Sequence, residues 1–337
     1  MKKRFQIGIC YYPATVGLVD DNKEYLKHLL TRLVKLEKIP CFSYEDPEQA
    51  LQFLTKEYHA DPIVNRCLIE SEDNDMDHHM VDFNIPAIHQ EIYNPRRFAE
   101  ITVLVIDYAM PGINGLELCR QLREKYPFIK IIMLTGEVGK DLAVEAFNEG
   151  SIDRFILKNT PSLMEALVQI VRELQLSYFQ NLSELALNKI ADFSQQTLVC
   201  LTDPVFVDFF QQLCKTNNIV EYYLMDDHGS FLLLDAKGKP SWLAVADNEL
   251  MESYAELAKH DKAPEALTAA LHSKKMMPYF HTEDDFSVRP AEWQEYLHPA
   301  QTLQGKQLYY YSYITDPNAY DLESDRVFSF QQYLEKI

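Results

Sequence analysis

Five polar side chains stand where short apolar segments end in the first half of the 337-residue sequence. They are an adjacent acid pair and three single residues: Asp20 and Asp21 after Thr15–Val19, Asp107 after Ile101–Ile106, Thr135 after Ile129–Leu134, and Lys158 after Ile152–Leu157. Three carboxylates brought together repel one another and need a cation, and oxygen ligands favour Mg²⁺ with retained waters. A hydroxyl and an ammonium directed at the same point would bind the oxygens of a phosphoryl group. One carboxylate could then be the nucleophile that forms an acyl phosphate.

Strands and helices alternate around these residues. Continuous apolar runs such as Ile101–Ile106 predict strands that are buried on both faces. Amphipathic segments between the runs predict helices at Asn22–Lys38, Pro47–Tyr58, Asn114–Tyr126 and Lys140–Asn148. This alternation predicts an α/β fold with a doubly wound parallel sheet. Because ligands bind such sheets at the carboxyl ends of the strands, we expect the five polar residues to meet in one crevice.

The same segments resemble the receiver domain of two-component response regulators. The matching stretches are Leu18–Asn22, Val105–Gly115, Ile132–Gly136 and Phe155–Lys158. Thr135 follows Asp107 by 28 positions and Lys158 follows Thr135 by 23, and both spacings agree with that family. The resemblance implies a flavodoxin-like receiver fold over residues 1–160.

The resemblance also implies a phosphoryl acceptor and a metal site. Asp107 would accept the phosphoryl group from a phosphohistidine on a sensor histidine kinase or a phosphotransfer protein. Asp20, Asp21, Asp107 and the backbone carbonyl of Ala109 would hold Mg²⁺. The receiver would thereby catalyse its own phosphoryl transfer.

A switch is implied as well. Thr135 would bind a phosphoryl oxygen and report the phosphorylation state, Lys158 would pair with the phosphate, and Phe155 would be the aromatic switch residue. Asn159 stands where the family commonly has proline, and Pro161 comes only later. Because a subset of receivers also lacks that proline, we expect the function to be kept.

The largest departure from the family is an insertion of about 40 residues. Asp107 follows Asp21 by 86 positions, roughly twice the usual gap. The extra residues, 59–100, include the acidic and polar stretch Glu70–His79 and fall between the second helix and the third strand. We expect them to be partly ordered and mostly at the surface, where they could form a dimer or partner surface.

The second half of the chain has a different pattern. A helical stretch over residues 161–195 is predicted to connect two domains. It could be one helix that closes the first domain and another that opens the second, or it could form a dimer contact. Residues 196–337 predict an α+β output domain with an antiparallel meander at Glu221–Met225, Phe231–Leu234 and Trp242–Ala246.

The charge balance disfavours one class of output. The chain carries 51 acids against 32 bases, a net charge of −19. Lys and Arg supply most of the non-specific affinity for DNA, and no helix-turn-helix or basic recognition helix is visible, so the sequence disfavours direct DNA binding. No cyclase, phosphodiesterase or ATPase motif is visible in the output domain either. We expect the output to bind a protein partner or its own twin; alternatively, it binds or acts on a small ligand, a nucleotide or RNA.

Location and assembly can also be predicted. The six cysteines are scattered without a C-x-x-C pair, which predicts reduced thiols. No apolar run reaches the ~20 residues that span a bilayer, and the first residues do not resemble a signal peptide. These features predict a cytoplasmic protein without a membrane partner. The layout of the whole chain also resembles quorum-sensing response regulators with an atypical output domain, which implies a homodimer fed by quorum-sensing histidine kinases.

Overall fold

The computed structural model describes residues 7–58, 63, 68–72, 79–83, 87, 90–136, 139–189, 199–226, 228–280, 289–315 and 322–337. The chain divides into two compact units. The parallel-sheet unit takes residues 12–68, 94–186 and 332–337, and the antiparallel-sheet unit takes residues 1–11, 69–93 and 187–331. This grouping differs from the predicted boundaries for two reasons. Cys10–Tyr11 pairs with a strand of the antiparallel sheet, and the helix after residue 161 packs into the core of the parallel-sheet unit.

The strands and helices follow in chain order. The first half contains β1 Cys10–Tyr11, β2 Thr15–Val19, α1 Lys23–Leu30, β3 Cys41–Tyr44, α2 Pro47–Gln52, β4 Leu68–Glu72, β5 His79–Phe83, β6 Ile101–Asp107, α3 Gly115–Lys125, β7 Lys130–Thr135, α4 Lys140–Asn148, β8 Arg154–Leu157 and α5 Leu163–Lys189. The second half contains α6 Pro204–Thr216, β9 Ile219–Leu224, β10 Phe231–Asp235, β11 Pro240–Ala246, α7 Asn248–His260, α8 Glu265–His272, β12 Met276–Pro278, β13 Leu297–Pro299, β14 Gln301–Gln304, β15 Leu308–Ile314 and α9 Phe330–Leu334. Two helices continue as π-helical turns, α1 over Thr31–Leu36 and α2 over Phe53–Glu57.

Five parallel strands form one sheet in the order β3-β2-β6-β7-β8. The predicted doubly wound, flavodoxin-like sheet is therefore confirmed. Every residue of β2, β6 and β7 is buried, which explains their continuous apolar sequences. Helices α1 and α5 supply Leu29 and Val171 to one core cluster. Helices α2, α3 and α4 supply Ala50, Leu122 and Ala146 to a second cluster, so the sheet has helices on both faces.

Side-chain caps fix where helices of this unit begin. Asn22 accepts a hydrogen bond from the backbone N–H of Tyr25 at 3.1 Å, so α1 starts just past the acid pair, as predicted. Asn114 accepts one from the backbone N–H of Glu117 at 2.9 Å, and α3 therefore starts at the end of the loop that follows β6. Both caps satisfy helix N–H groups beside the carboxyl edge of the sheet.

Part of the predicted insertion is ordered. β4 and β5 form a two-stranded sheet, and 3₁₀ turns occupy Glu91–Tyr93 and Arg97–Ala99. Ile92, Arg97 and Phe98 are buried and are therefore exceptions to the mostly surface location expected for the insertion. The guanidinium carbon of Arg97 lies 4.1 Å from the ring centroid of Phe98, a cation–π contact that helps to accommodate the buried charge. Residues 73–78 of the acidic and polar stretch lie outside the described residues.

The antiparallel-sheet unit is built on six strands in the order β1-β9-β10-β11-β15-β14. β9, β10 and β11 pair antiparallel in succession, which confirms the predicted meander. Helix α6 packs Phe210 against this sheet, with its ring centroid 5.0 Å from that of Tyr222 and 4.7 Å from that of Phe231. The predicted final helix over Val327–Ile337 is shorter in the structure, where α9 covers Phe330–Leu334.

Two further features concern the cysteines and the helices. The described cysteines carry free thiols: Cys10, Cys41, Cys119, Cys200 and Cys214. The longest described helix is α5, which runs without a break over 27 residues. Within the described part of the chain, no helix combines the length and the apolar character that crossing a bilayer requires.

Asp203 is a buried acid at the start of α6. Its carboxylate accepts hydrogen bonds from the backbone N–H groups of Val205 at 3.0 Å and Lys306 at 2.6 Å, and from the Tyr309 hydroxyl at 2.9 Å. Burial alone would raise the pKa of Asp203, but these hydrogen bonds outweigh it and hold the pKa below its usual value. The carboxylate therefore ties α6 to the turn that precedes β15.

Asp203→Asn is expected to destabilise the antiparallel-sheet unit by about 1–3 kcal/mol at neutral pH, because an amide oxygen accepts these hydrogen bonds less well. The folded-state pKa of Asp203 is depressed. Its contribution is therefore present above the unfolded pKa of about 3.9 and is lost as pH falls through the folded value. Urea unfolding followed by tryptophan fluorescence measures this unit, which contains both tryptophans of the chain, Trp242 and Trp293.

The matched control for this prediction is Asp208→Asn. Asp208 lies on the same helix and is exposed, so the control should leave the unfolding midpoint unchanged within about 0.5 kcal/mol. The difference between Asp203→Asn and the unchanged protein should narrow as pH is lowered below the unfolded pKa. A deficit that stays constant through that range would contradict the role assigned to the ionised carboxylate.

Candidate functional site

The carboxyl edge of the parallel sheet carries the predicted chemistry. Asp20 directly follows β2, Asp107 ends β6, Thr135 ends β7 and Lys158 directly follows β8. Because β2, β6 and β7 are neighbours in the sheet, these strand ends come together at one edge. Asp20, Asp107 and Thr135 are almost fully buried, at 1%, 5% and 0% exposure. Two carboxylates are thus held out of water at the same place.

Lys158 joins these two carboxylates. Its Nζ lies 2.8 Å from Oδ2 of Asp20 and 2.8 Å from Oδ1 of Asp107. The same Nζ stands 4.8 Å from the ring centroid of Tyr25, a cation–π distance. Sequence reasoning missed Tyr25, although its place in the first turn of α1, four residues after Asp21, is a signal that could have revealed it.

The electrostatics of the site follow from an excess of carboxylates over ammonium groups. Burial raises the pKa of Asp107, the neighbouring charge of Asp20 adds to this, and the hydrogen bond from Lys158 offsets it only in part. Burial would lower the pKa of Lys158, but its hydrogen bonds to the two carboxylates outweigh burial and raise it. Lys158 therefore stays charged, whereas burial, together with the nearby charge of Asp20, destabilises the ionised form of Asp107.

A third acid completes a group that could hold a metal ion. Carboxylate oxygens of Asp20, Asp21 and Asp107 all lie within 4.8 Å of one another, with Asp21 exposed and the other two buried. Hard oxygen donors with one side open to water are what Mg²⁺ takes in proteins, because it keeps several of its own waters. The donor set and its uncompensated negative charge fit Mg²⁺. Receiver domains generally bind this ion through such acids.

Thr135 lies beside Asp107 in the sheet, since Asp107 pairs with Leu134. Its hydroxyl donates a hydrogen bond to the backbone carbonyl of Gly136 at 3.1 Å. A Cβ at Gly136 would meet nothing within 4 Å, so space is open above this strand end. A Cβ at Gly139 would come within 2.1 Å of Thr135 Oγ1, so the backbone can approach this hydroxyl only at a glycine. Sequence reasoning missed Gly139 as well.

The two remaining predicted site residues are Phe155, three residues before Lys158, and Ala109, two residues after Asp107. Phe155 is half-buried in β8 and packs against the core cluster beneath α3 and α4. Ala109 is exposed in the loop that follows Asp107, and its carbonyl stays a predicted ligand. That loop is closed tightly, because a Cβ at Gly115 would lie 2.0 Å from the backbone oxygen of Asp107.

Comparison with known proteins agrees with this geometry. The family model described as the response regulator receiver domain matches residues 89–172. The C4-dicarboxylate transport transcriptional regulatory protein DctD of Pseudomonas aeruginosa is 44% identical over 70 residues, which are 21% of this chain and 14% of that protein. The DNA-binding transcriptional regulator NtrC of Escherichia coli is 37% identical over 51 residues, which are 15% of this chain and 11% of that protein. The match thus spans only a small part of the length of these curated relatives.

One solved structure matches over nearly the full length. The structure of the Legionella pneumophila response regulator LqsR aligns with a TM-score of 0.82 and 33% sequence identity, covering 99% of this chain and 97% of that chain. The likeness therefore extends over both units, whereas the receiver model reaches only residues 89–93 of the antiparallel-sheet unit. On this evidence, the chain belongs to the response regulators, the receiver-containing proteins of two-component signalling.

Proposed function

We propose that this response regulator works by phosphorylation of Asp107, with the phosphoryl group coming from a phosphohistidine on a sensor histidine kinase or phosphotransfer protein. The observation that carries the proposal is the ammonium of Lys158, held 2.8 Å from both Asp20 and Asp107. Asp107 is buried at the carboxyl end of its strand, and only a small part of it reaches solvent. A nucleophilic carboxylate beside a fixed cation is the arrangement that aspartyl phosphorylation needs.

The transfer forms one bond to phosphorus and breaks another. A carboxylate oxygen of Asp107 attacks the phosphorus, the bond between phosphorus and the imidazole nitrogen breaks, and the electron pair leaves with the imidazole. Asp20, Asp21, Asp107 and the carbonyl of Ala109 would hold Mg²⁺, which supplies neutralisation of charge on the transferred group. Lys158 would exchange one of its carboxylate partners for a phosphoryl oxygen, so its charge stays paired throughout.

The switch would follow from the charge that phosphorylation adds. A phosphoryl group brings a charge near −2 and three acceptor oxygens. Thr135 would turn its hydroxyl from the Gly136 carbonyl towards one of these oxygens, and Phe155 would move into the space that is vacated. Helix α5 begins soon after Lys158 and is the proposed route, within the predicted connector 161–195, to the output region 196–337.

The proposed output is a protein interface, either with a partner or with a second copy of the chain. Helices α7 and α8 are joined by a four-residue link, as DNA-reading helix pairs often are, but α8 contains neither Lys nor Arg. This composition does not favour DNA binding. The resemblance to quorum-sensing regulators supports a homodimer that acts in a quorum-sensing pathway in the cytoplasm, where the scattered cysteines are expected to stay reduced.

The proposal is tested with phosphoramidate, a small donor whose phosphorus–nitrogen bond matches that of phosphohistidine. With Mg²⁺ present, the protein is expected to gain up to one phosphoryl group, and hydroxylamine should remove it, because an acyl phosphate is cleaved by that nucleophile. Light scattering on the same samples measures whether the oligomeric state changes. Phosphate that resists hydroxylamine would contradict an aspartyl phosphate and with it the proposed function.

A further inference from the structure

A cavity of about 690 Å³ opens in the parallel-sheet unit, at the edge of the sheet opposite the phosphoryl-transfer residues. Thr15, Cys41 and Ile101 line it, and they are the first residues of β2, β3 and β6. Asp20 and Asp107 lie at the other ends of two of these strands. A strand of five to seven residues spans roughly 17–23 Å, so the cavity is well separated from the site already described.

Four aromatic side chains form part of the lining of this cavity. Phe42 and Phe53 line it with their ring centroids 5.5 Å apart, and the ring of Tyr58 lies 6.3 Å from that of Phe53. Tyr333 faces them from the C-terminal segment of the unit. The volume lies in the range of pockets that hold one small organic molecule, and aromatic walls favour a planar or ring-containing apolar body.

The buried polar groups of the cavity are already engaged. The carboxylate of Glu100 accepts hydrogen bonds from the hydroxyls of Tyr12 and Tyr178, each at 2.5 Å. The Tyr58 hydroxyl accepts one from the backbone N–H of Ile101 at 2.7 Å. Because these polar groups already form hydrogen bonds within the protein, they hold the walls of the cavity in place. A bound molecule therefore need not supply hydrogen-bond donors to them.

The rim of the cavity supplies a positive charge. Arg96 lines the cavity and is exposed, and its guanidinium forms no ion pair among the described residues. Arg97, beside it, is buried against the ring of Phe98 and donates to the carbonyl of Asn94 at 2.9 Å. The cation that is available to a bound molecule is therefore that of Arg96, which could bind an anionic group in two-pronged fashion.

We propose that this cavity binds a small organic acid, with its apolar, ring-containing body against Phe42, Phe53 and Tyr58 and its anionic group at Arg96. The walls contributed by residues 94–100 come from the end of the predicted insertion, so the site depends on what sets this chain apart from a minimal receiver. Binding at this cavity gives the parallel-sheet unit a second input, which is independent of phosphorylation and of the function proposed above.

The test uses two fluorescent probes that differ in charge. 8-Anilinonaphthalene-1-sulfonate has an aromatic body and one anionic group, and N-phenyl-1-naphthylamine has the same rings without the charge. Both are expected to bind the full chain at one saturable site with a rise in fluorescence. Arg96→Gln should weaken the sulfonate about fivefold, as one partly exposed ionic contact allows, and leave the amine unchanged. Ala99→Trp fills the cavity from an exposed position and should abolish binding of both probes.

Two controls separate this site from other sources of signal. Arg154→Gln removes an exposed arginine that does not line the cavity and should change neither probe's affinity. Asp107→Asn should also leave both affinities unchanged, which distinguishes failure of this proposal from failure of the proposed phosphorylation. Undiminished binding to Ala99→Trp, with its thermal midpoint kept, would overturn the site. An equal loss of both probes in Arg96→Gln would overturn the recognition of the anion.

Discussion

Asp107→Asn is expected to abolish phosphoryl transfer from acetyl phosphate or phosphoramidate while the protein stays folded. An amide is not a nucleophile towards phosphorus, so the substitution removes the proposed acceptor itself. Burial and the charge of Asp20 already disfavour ionised Asp107, so the neutral amide should leave the parallel-sheet unit at least as stable as before. Intact-mass spectrometry measures the labelling, and far-ultraviolet circular dichroism measures the melting of the fold.

The matched control for this substitution is Asp141→Asn. Asp141 is exposed in the first turn of α4, outside the cluster of strand ends. The control should be labelled to the same extent as the unchanged protein. If Asp107→Asn still gained a phosphoryl group, the acceptor would lie elsewhere; if Asp141→Asn lost labelling, the effect would not be specific to the site.

Lys158→Ala is expected to slow phosphoryl transfer by about 10²–10³-fold, the effect of removing one preorganised donor at a developing charge. Binding of Mg²⁺ should persist, because the substitution removes a competing cation and keeps all three carboxylates of the cluster. The substitution also leaves Asp20 and Asp107 facing each other without the Lys158 ammonium that bridges them. Labelling with phosphoramidate measures the rate of phosphoryl transfer, and isothermal titration with Mg²⁺ measures the affinity for the ion.

Lys23→Ala serves as the matched control for this second substitution. Lys23 stands close in sequence to the acid pair, but it is exposed and pairs with Glu45 at 3.1 Å. Removing it should alter neither the rate nor the affinity by more than about twofold. An unchanged labelling rate in Lys158→Ala would contradict the assigned role, as would the loss of Mg²⁺ binding with the rate retained.

The parallel sheet could be predicted from the sequence because burial on both faces leaves a direct trace. A run such as Ile101–Ile106, apolar at every position except Thr102, fits a strand that is buried between two layers of helices. The convergence of the polar residues then follows from one topological rule, since carboxyl ends of parallel strands meet at the same edge. The positions of these residues at the ends of the strands were therefore sufficient to predict that they lie close together.

Other features depend on contacts between segments that are distant in sequence. The two-residue strand Cys10–Tyr11 is too short to show any alternation, and its pairing with Tyr222 and Tyr223 is visible only in the fold. Buried charges mislead sequence reasoning for a related reason. The sequence around Glu100 predicts a surface residue, whereas in the fold the distant hydroxyls of Tyr12 and Tyr178 donate hydrogen bonds to its buried carboxylate. The cavity on the opposite edge depends on the same residues and could not have been predicted.

Localising the phosphate tests the account most directly. After incubation with acetyl phosphate and Mg²⁺, borohydride reduces an aspartyl phosphate to homoserine and thereby marks the modified residue. Cleavage after Arg97 and Arg120 releases residues 98–120, in which Asp107 is the single aspartate. The account predicts that this peptide carries the homoserine and that the peptide with Asp20 and Asp21 is unmodified. Homoserine at either member of the acid pair, or none in the peptide 98–120 despite a gain in intact mass, would contradict it.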